Sequence, residues 1–260
     1  MFIKILCWLV LSYLSIGANG QEVTLYGDDE YAPYSYVENA IPKGIYADIF
    51  RKVDQEIPDY QILLKVLPWK RGLRMLRHGE IAFLYPPYKR LNERPYMAYS
   101  LPILREELTL FCRKGTGLTS ASIFPDDFKG MLVGENLGFS SGEKIHKARD
   151  LNFITLSSSK GTLANLKRLM FNNLHCYVND RLSILYELKL LQAQGHYDGE
   201  NIVETVSLSN EYGHLGVTKQ VANFPYLEDF LEKFNRVIKR LKKEGEINKI
   251  TNSYMNSIKR

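Results

Sequence analysis

The sequence predicts an α/β protein in which helices pack on both faces of parallel sheets. Three observations indicate this class. Strand-like and helix-like segments alternate from about residue 21 almost to the end of the 260-residue chain. The strand-like segments are short and β-rich, and the segments between them carry apolar residues at helical spacing. No internal repeat, low-complexity tract or long linker interrupts the alternation.

The first half contains three predicted strands and two predicted helices. The strands cover residues 23–26, 62–66 and 81–84. A loop rich in tyrosine and proline precedes the first helix, whose apolar residues recur at helical spacing: Ile45, Ile49, Phe50, Val53 and Ile57. The second helix presents Trp69, Leu73 and Leu76 on one face and ends at Gly79, which tolerates the left-handed backbone of a helix end.

The second half repeats this order. Strands are predicted at residues 107–112, 131–134 and 174–179. A helix before the last of these strands carries Leu163, Leu166, Leu169 and Met170, and another helix is predicted to start at Asp180. The longest amphipathic helix ends before Gly245, and its apolar face comprises Leu227, Phe230, Leu231, Phe234, Val237, Ile238 and Leu241.

The first twenty residues have the features of a secretory signal peptide. Lys4 is their only charged residue, residues 5–16 are almost wholly apolar, and small residues precede Gln21, where a signal peptidase would cut. An uncleaved membrane anchor is the alternative, but the apolar run is shorter than the roughly 20 residues that a bilayer span needs. We therefore expect residues 1–20 to be removed and the mature protein to be exported.

Composition argues against several classes of protein. The net charge of +5 is mild and its basic residues are dispersed, apart from a run at residues 239–243 on a helix face, so no nucleic-acid partner is expected. The five histidines show neither catalytic pairing nor metal-ligand spacing, so we expect no metal and no cofactor. Cys112 and Cys176 remain in the mature chain, and the sequence leaves their pairing open.

Short motifs follow one another along the mature chain in the order typical of a known family. They are GDDEYAPY at residues 27–34 with Gly44, Tyr46 and Asp48; Trp69 with the leucine-rich helix that ends at Gly79; NER at 92–94 with Tyr99 and Ser100; LGFSSGE at 137–143; VND at 178–180; HLGV at 214–217; and FN at 234–235. In this order the chain resembles bacterial periplasmic solute-binding proteins of the polar amino acid type, solute-binding family 3. No single motif is specific, but together they cover essentially the whole mature chain.

The resemblance implies a type II periplasmic-binding-protein-like fold. Two α/β lobes would be joined by two crossing strands, with the ligand cleft between the lobes. Lobe 1 would comprise residues 21–106 and 212–260, and lobe 2 would comprise residues 107–211. The resemblance also implies a periplasmic monomer that passes its ligand to the permease of an ABC transporter or to a membrane sensor.

An α-amino acid presents a carboxylate, which needs a cluster of donors. Arg94 matches the family's carboxylate-binding arginine, and a guanidinium offers two parallel donors to two carboxylate oxygens. Phe139, Ser140 and Ser141 follow a strand and a glycine, so their backbone N–H groups would complete the site at the start of a helix. The alternatives are a surface arginine paired with Glu93 and serines that only cap their own helix.

The ligand ammonium and side chain need an anionic acceptor and a wall. Asp180, between a strand and a helix, matches the family position that takes the ammonium, although an aspartate there also suits capping. Asp28 matches a carboxylate that meets a basic side chain or the opposing lobe. Tyr31 and Trp69 match aromatic positions that sandwich the ligand side chain, although a tyrosine is more often a packing residue.

Three departures from the family pattern affect this site. The interval from Arg94 to Tyr99 is one residue shorter than usual, and the loop at residues 137–143 is one residue longer. Ahead of Arg94, residues 84–88 read LYPPY where the family has small hydroxyl residues. Two prolines remove two N–H donors and two tyrosines fill space, so the pocket differs from a standard amino acid pocket.

The expected function is capture of a small polar solute, such as an amino acid or a related zwitterion or carboxylate, by hinge closure and without catalysis. One alternative is an orphan sensor or ligand-binding module without a transporter. The other is a periplasmic enzyme of dehydratase type on the same scaffold, which would need a general acid or base in the cleft.

Overall fold

The computed structural model describes residues 20–258, so the predicted signal peptide lies outside the described residues apart from Gly20. The strands are β1 (Gln21–Asp28), β2 (Glu30–Tyr31), β3 (Ser35–Glu38), β4 (Ile41–Lys43), β5 (Tyr60–Leu67), β6 (Phe83–Tyr85), β7 (Met97–Tyr99), β8 (Leu104–Arg113), β9 (Met131–Asn136), β10 (Ile154–Ser159), β11 (Cys176–Asp180), β12 (Ile202–Gly213) and β13 (Gly216–Thr218). The α-helices are α1 (Ile45–Asp54), α2 (Trp69–Arg77), α3 (Glu143–Asp150), α4 (Thr162–Met170), α5 (Arg181–Ala193), α6 (Leu227–Lys243) and α7 (Glu246–Ile258). None of the described helices is long and apolar enough to span a membrane.

The first five-stranded sheet has the order β5-β1-β6-β13-β7. β1 pairs in parallel with β5 and β6, while β13 runs antiparallel to both β6 and β7. The sheet is therefore mixed, and the wholly parallel sheet expected from the alternation is wrong here. The reason is that β13 comes from a distant part of the chain. No helical crossover joins it to its neighbours β6 and β7, so it need not run parallel to them.

The second five-stranded sheet has the order β10-β9-β11-β8-β12. β9 lies parallel to β10 and β11, and the long strands β8 and β12 are antiparallel neighbours. Register shifts interrupt the β8–β12 ladder between residues 204 and 209, where an irregularity bends the pair. β2, β3 and β4 form a small separate sheet beside the first.

Each large sheet has its own hydrophobic core. One core combines residues 23–104 with residues 215–247, and the cores of the second sheet use residues 108–208. β8 and β12 connect the two regions, and the predicted lobe boundaries after residues 106 and 211 fall inside these strands. The assignment of the boundary to those two residues stays a prediction.

Helix α6 shows how the sequence pattern builds the first core. Phe230 and Phe234 are one helical turn apart and both are fully buried. Phe230 packs at 4.9 Å from Phe83 of β6, and Phe234 packs at 5.5 Å from Phe50 of α1. Burial of each ring contributes about 1.5–3 kcal/mol, so the amphipathic pattern of the sequence determines where this helix docks.

Cys112 and Cys176 form a disulfide bond in the second core. They are register partners on the antiparallel strands β8 and β11, and both are fully buried. Sixty-four residues separate them along the chain. The pairing that the sequence left open is therefore present, and it suits a protein that folds in an oxidising compartment.

Replacing both cysteines, Cys112→Ala with Cys176→Ala, is expected to lower the free energy of unfolding by about 4 kcal/mol, because the bond closes a loop of 64 residues in the unfolded chain. Urea unfolding of the native and double-variant proteins, both produced without residues 1–20, measures the difference. An unchanged midpoint, together with two alkylatable thiols in the native protein, would contradict the bond.

Candidate functional site

Residues from both regions of the molecule line a small cavity at the ends of strands β1 and β9. Eight residues line it: Asp28, Tyr31, Trp69, Pro86, Tyr88, Arg94, Phe139 and Ser140. Six of the eight residues predicted for ligand binding are in this set. The cavity holds about 20 Å³, which is roughly the space for one water molecule.

Arg94 lies in the wall of this cavity and is only 5% exposed. Its Nη2 donates to the carbonyl oxygen of Gly138 at 3.4 Å, and its guanidinium carbon is 5.7 Å from the centre of the Trp69 ring. Within residues 20–258, none of the ion pairs includes Arg94. Burial lowers the pKa of Arg94, against smaller raising effects that include the charge of the neighbouring Glu93. The alternative of a surface arginine paired with Glu93 is wrong.

Ser140 lies between two charged side chains of the segment before β7. Its hydroxyl accepts from Arg90 Nε at 3.0 Å and donates to Glu93 Oε1 at 3.2 Å. Arg90 also forms an ion pair with Glu211 of β12 at 2.7 Å. Arg90 was not among the predicted site residues, and its contacts hold Ser140 at the edge of the cavity.

The loop that carries Phe139, Ser140 and Ser141 differs from the sequence-based expectation. Helix α3 begins at Glu143 and its N-cap is Gly142, so neither serine caps the helix. The backbone N–H of Phe139 already donates to the carbonyl oxygen of Asn136 at 3.0 Å, so it is not a free donor. The helix therefore starts beyond both serines.

Ser141 lies apart from the other predicted residues. Its hydroxyl donates to Glu135 of β9. It lines a larger groove of about 1010 Å³ together with Leu108, Lys144 and Ser209, among others, and not the small cavity. The structure therefore does not bring the side chain of Ser141 to the group around Arg94.

Asp180 is the last residue of β11 and the N-cap of α5. Its Oδ1 accepts from the Ser183 N–H and its Oδ2 accepts from the Glu107 N–H, both at 2.9 Å. Burial raises the pKa of Asp180 to about 6, against the lowering effect of these hydrogen bonds. Asp180 is not among the residues that line the small cavity, and the capping role considered in the sequence analysis is confirmed.

Glu106, a residue of the connecting strand β8, was not predicted as a site residue. It is almost fully buried and accepts hydrogen bonds from three tyrosine hydroxyls, those of Tyr31 at 2.5 Å, Tyr46 at 2.6 Å and Tyr88 at 2.8 Å. Burial and the nearby charge of Asp180 raise the pKa of Glu106 to about 8. The three tyrosines come from separate segments, so no local sequence pattern indicates this cluster.

The LYPPY segment fills space near the cavity, as predicted. Tyr88 and Pro86 line the cavity, and the hydroxyl of Tyr88 is 3.1 Å from that of Tyr31. Tyr85 points instead into the first core, where its ring packs edge-to-face with Phe50 at 4.8 Å. Aromatic side chains therefore occupy the place where the family pattern has small hydroxyl residues.

Direct contacts join the two regions around the cavity. Ser183 Oγ donates to the carbonyl oxygen of Ala32 at 2.6 Å, and Trp69 Nε1 donates to that of Gly138 at 3.2 Å. Lys160 forms an ion pair with Glu30 at 2.7 Å. These contacts hold the residues of the cavity wall against one another. In residues 20–258, no cluster of three or more His, Cys, Asp or Glu side chains is placed to hold a metal ion.

The burial of Glu106 predicts a pH dependence of stability. Because its pKa is raised from 4.5 to about 8, the folded protein holds this proton between those pH values while the unfolded chain has released it. The contribution of Glu106 to the free energy of unfolding is therefore fully present below pH 4.5 and is lost as the pH rises towards 8. The free energy of unfolding falls by on the order of 1 kcal/mol per pH unit in this range. Chemical unfolding between pH 5 and 8 should show a shallower decline for Glu106→Gln than for native protein. The exposed variant Glu200→Gln is the control, and equal slopes for native protein and Glu106→Gln would contradict the assignment.

The family model for bacterial extracellular solute-binding proteins, family 3, matches residues 23–257. The probable amino-acid-binding protein YxeM of Bacillus subtilis (strain 168) is 23% identical over 253 residues, which cover 94% of this chain and 84% of that protein.

Two solved structures show the same fold. A histidine kinase sensor domain with similarity to periplasmic binding proteins superposes with a TM-score of 0.75 at 15% identity, covering 91% of this chain and 96% of the other. The amino acid ABC transporter substrate-binding protein AbpA of Streptococcus pneumoniae, bound to L-arginine, superposes with a TM-score of 0.72 at 14% identity, covering 91% and 95%. The predicted two-lobed α/β fold is confirmed.

Proposed function

Because the chain belongs to the bacterial extracellular solute-binding proteins, family 3, we propose that it captures an amino acid between its two lobes and delivers it to a membrane transporter. The names of YxeM and AbpA support an amino acid as the solute, and the second name supports an ABC transporter as the partner. The protein acts as a monomer in the periplasm and performs no chemistry on its ligand. The solute-binding family and the disulfide bond both support a location outside the cytoplasm.

The observation that carries this proposal is the buried guanidinium of Arg94. A buried cation that forms no ion pair is unfavourable, since its lost hydration is replaced by one long hydrogen bond to a carbonyl and by an aromatic ring, while Glu93 acts on it without forming an ion pair. A ligand carboxylate would accept two parallel hydrogen bonds from Arg94 and neutralise its charge. The cavity beside Arg94 thus favours a solute that carries a carboxylate.

Other groups of the site suit the rest of an amino acid. Asp180 does not line the small cavity, but its carboxylate retains acceptor capacity after its two backbone hydrogen bonds and would suit the ligand ammonium once the lobes separate. Ser140 lies on the opposite lobe from Arg94, and because its hydroxyl already donates to Glu93, its backbone N–H is the donor that it would add to the carboxylate site. Tyr31, Trp69 and Phe139 supply the aromatic wall, and Phe139 meets Tyr31 edge-to-face at 5.1 Å.

The size of the cavity implies that binding involves motion. A volume of about 20 Å³ is too small for any amino acid, so the lobes must separate to admit the ligand and close around it. β8 and β12 are the connections on which a hinge would act, with lobe 1 formed by residues 21–106 and 212–260 and lobe 2 by residues 107–211. Closure would bring Arg94 and Ser140 to the same ligand.

A thermal-shift screen of the purified protein against amino acids, polyamines, small carboxylic acids and short peptides tests the function. A cognate amino acid at 100 times its dissociation constant should add about 2.7 kcal/mol of stability. Each hit is incubated with the protein and analysed by mass spectrometry, and turnover would reject the proposal of binding without catalysis. Shifts produced only by solutes without a carboxylate would reject the amino acid proposal.

The variant Arg94→Lys tests the carboxylate role. Lysine keeps the charge but loses the paired donors, so we expect affinity for the cognate amino acid to fall at least about 30-fold, or about 2 kcal/mol. Isothermal titration calorimetry measures the change. Arg105→Lys, at an exposed position of β8, is the matched control and should bind as the native protein does. Equal losses in the two variants would mean that Arg94 does not hold the ligand.

A further inference from the structure

The loop between β9 and α3 brings an aromatic side chain of lobe 2 against lobe 1. Phe139 lies in this loop, shortly after Asn136, the last residue of β9. Its side chain packs against two hydrophobic clusters of lobe 1, one of which contains Tyr31 and the other Trp69. The Phe139 ring therefore takes part in the packing of the lobe to which it does not belong.

Phe139 contacts the two aromatic side chains that the sequence analysis assigned to the ligand side chain. Its ring centre is 5.1 Å from that of Tyr31 and 6.0 Å from that of Trp69, and both pairs are edge-to-face. Each pair of this kind shifts an equilibrium by about two- to tenfold beyond the effect of burial. Tyr31 is 3% exposed and Trp69 is 6% exposed, so little of either ring remains accessible to a ligand side chain.

The backbone of the same loop occupies donors of the carboxylate site. The carbonyl oxygen of Gly138 accepts from Trp69 Nε1 at 3.2 Å and from Arg94 Nη2 at 3.4 Å. Gly138 has a φ of +84°, a left-handed conformation that favours glycine, and its backbone lies against Trp69 and Lys70 at the start of α2. Two donors of lobe 1 therefore converge on one carbonyl oxygen of lobe 2.

We propose that Gly138 and Phe139 form an internal plug, a segment of lobe 2 that takes the place of the ligand in the closed cleft and competes with it. The carbonyl of Gly138 stands where the ligand carboxylate would meet Arg94. The ring of Phe139 stands where the ligand side chain would meet Tyr31 and Trp69. The proposal rests on the proposed amino acid function and adds to it an autoinhibitory contact.

The internal plug is a weaker partner of Arg94 than the ligand that it opposes. Gly138 offers a neutral carbonyl at a long distance, whereas a carboxylate would accept two charge-assisted hydrogen bonds from the guanidinium. The cavity left beside the plug holds about 20 Å³, so plug and amino acid cannot be in place together. The apparent affinity for the ligand therefore falls in proportion to the fraction of molecules whose plug has been released.

Trp69 is the only tryptophan after residue 20, so its fluorescence reports the internal plug in protein produced without residues 1–20 and dialysed free of amino acids. Acrylamide should quench the native protein weakly, because Phe139 covers Trp69. Phe139→Ala loses both ring pairs, so the population with an uncovered Trp69, and with it the quenching constant, should rise at least about fourfold. Phe171→Ala, at a 73% exposed position after α4, is the matched control and should behave as native protein. Equally strong quenching of native protein and Phe139→Ala would overturn the proposal.

Stopped-flow fluorescence of Trp69 distinguishes a plug from a residue that only forms a wall for the ligand. The probe is the standard L-amino acid that gives the largest shift in the thermal-shift screen. Removal of a plug raises the association rate constant, because more molecules are open, whereas loss of a wall contact mainly raises the dissociation rate constant. Phe139→Ala should associate at least about fourfold faster than native protein, and Phe171→Ala should associate at the native rate. Association of Phe139→Ala at or below the native rate would overturn the proposal.

A second substitution, Phe139→Leu, keeps a large apolar side chain but removes the ring, and circular dichroism checks the fold of both variants. It should raise the quenching constant and the association rate constant at least about twofold, and native values of both in this variant would overturn the proposal even if Phe139→Ala does not fold. The thermal-shift screen separates the two levels. If no amino acid stabilises the protein, the proposed function fails while acrylamide quenching still tests the plug, whereas amino acid binding with rates and quenching insensitive to Phe139 rejects only the plug.

Discussion

The buried, unpaired guanidinium of Arg94 is the constraint on which the candidate site depends. It contacts a carbonyl of the opposite region and lies over the Trp69 ring, but neither group neutralises its charge. In the low dielectric of a closed cleft, an anion beside Arg94 would be stabilised much more than in water. Under the proposed role of Arg94, the ligand would supply the missing negative charge, and closure would remove the water that would otherwise screen it.

Glu106 connects the wall of the cavity beside Arg94 to the connecting strands β8 and β12. It belongs to β8, and its carboxyl accepts hydrogen bonds from the hydroxyls of two cavity-lining tyrosines, Tyr31 and Tyr88. Gly213 on the neighbouring strand β12 has no space for a side chain, because a Cβ there would collide with the Tyr46 hydroxyl and Glu106. The cavity wall and the connection between the lobes are thus packed as one unit. A change in the relative position of β8 and β12 would be transmitted to the aromatic wall through these hydrogen bonds.

Local patterns predicted most of the described helices and six of the thirteen described strands, and they predicted the site in part. The apolar spacing of α6 and the capping position of Asp180 are local properties, and both agree with the structure. The three tyrosine partners of Glu106 lie 75, 60 and 18 residues from it along the chain, so the cluster exists only after folding. The same is true of the contacts that the Phe139 ring makes with Tyr31 and Trp69. The helix start after Ser141 was misplaced because two serines and a glycine are all compatible with an N-terminus, and only tertiary packing selects one.

A crystal structure of the protein with its cognate amino acid tests the central claim most directly. The account predicts that both carboxylate oxygens of the ligand lie about 2.7–2.9 Å from the guanidinium nitrogens of Arg94, with Ser140 of the other lobe at the same carboxylate. A ligand carboxylate bound elsewhere, with Arg94 still directed only to Gly138 and Trp69, would contradict it.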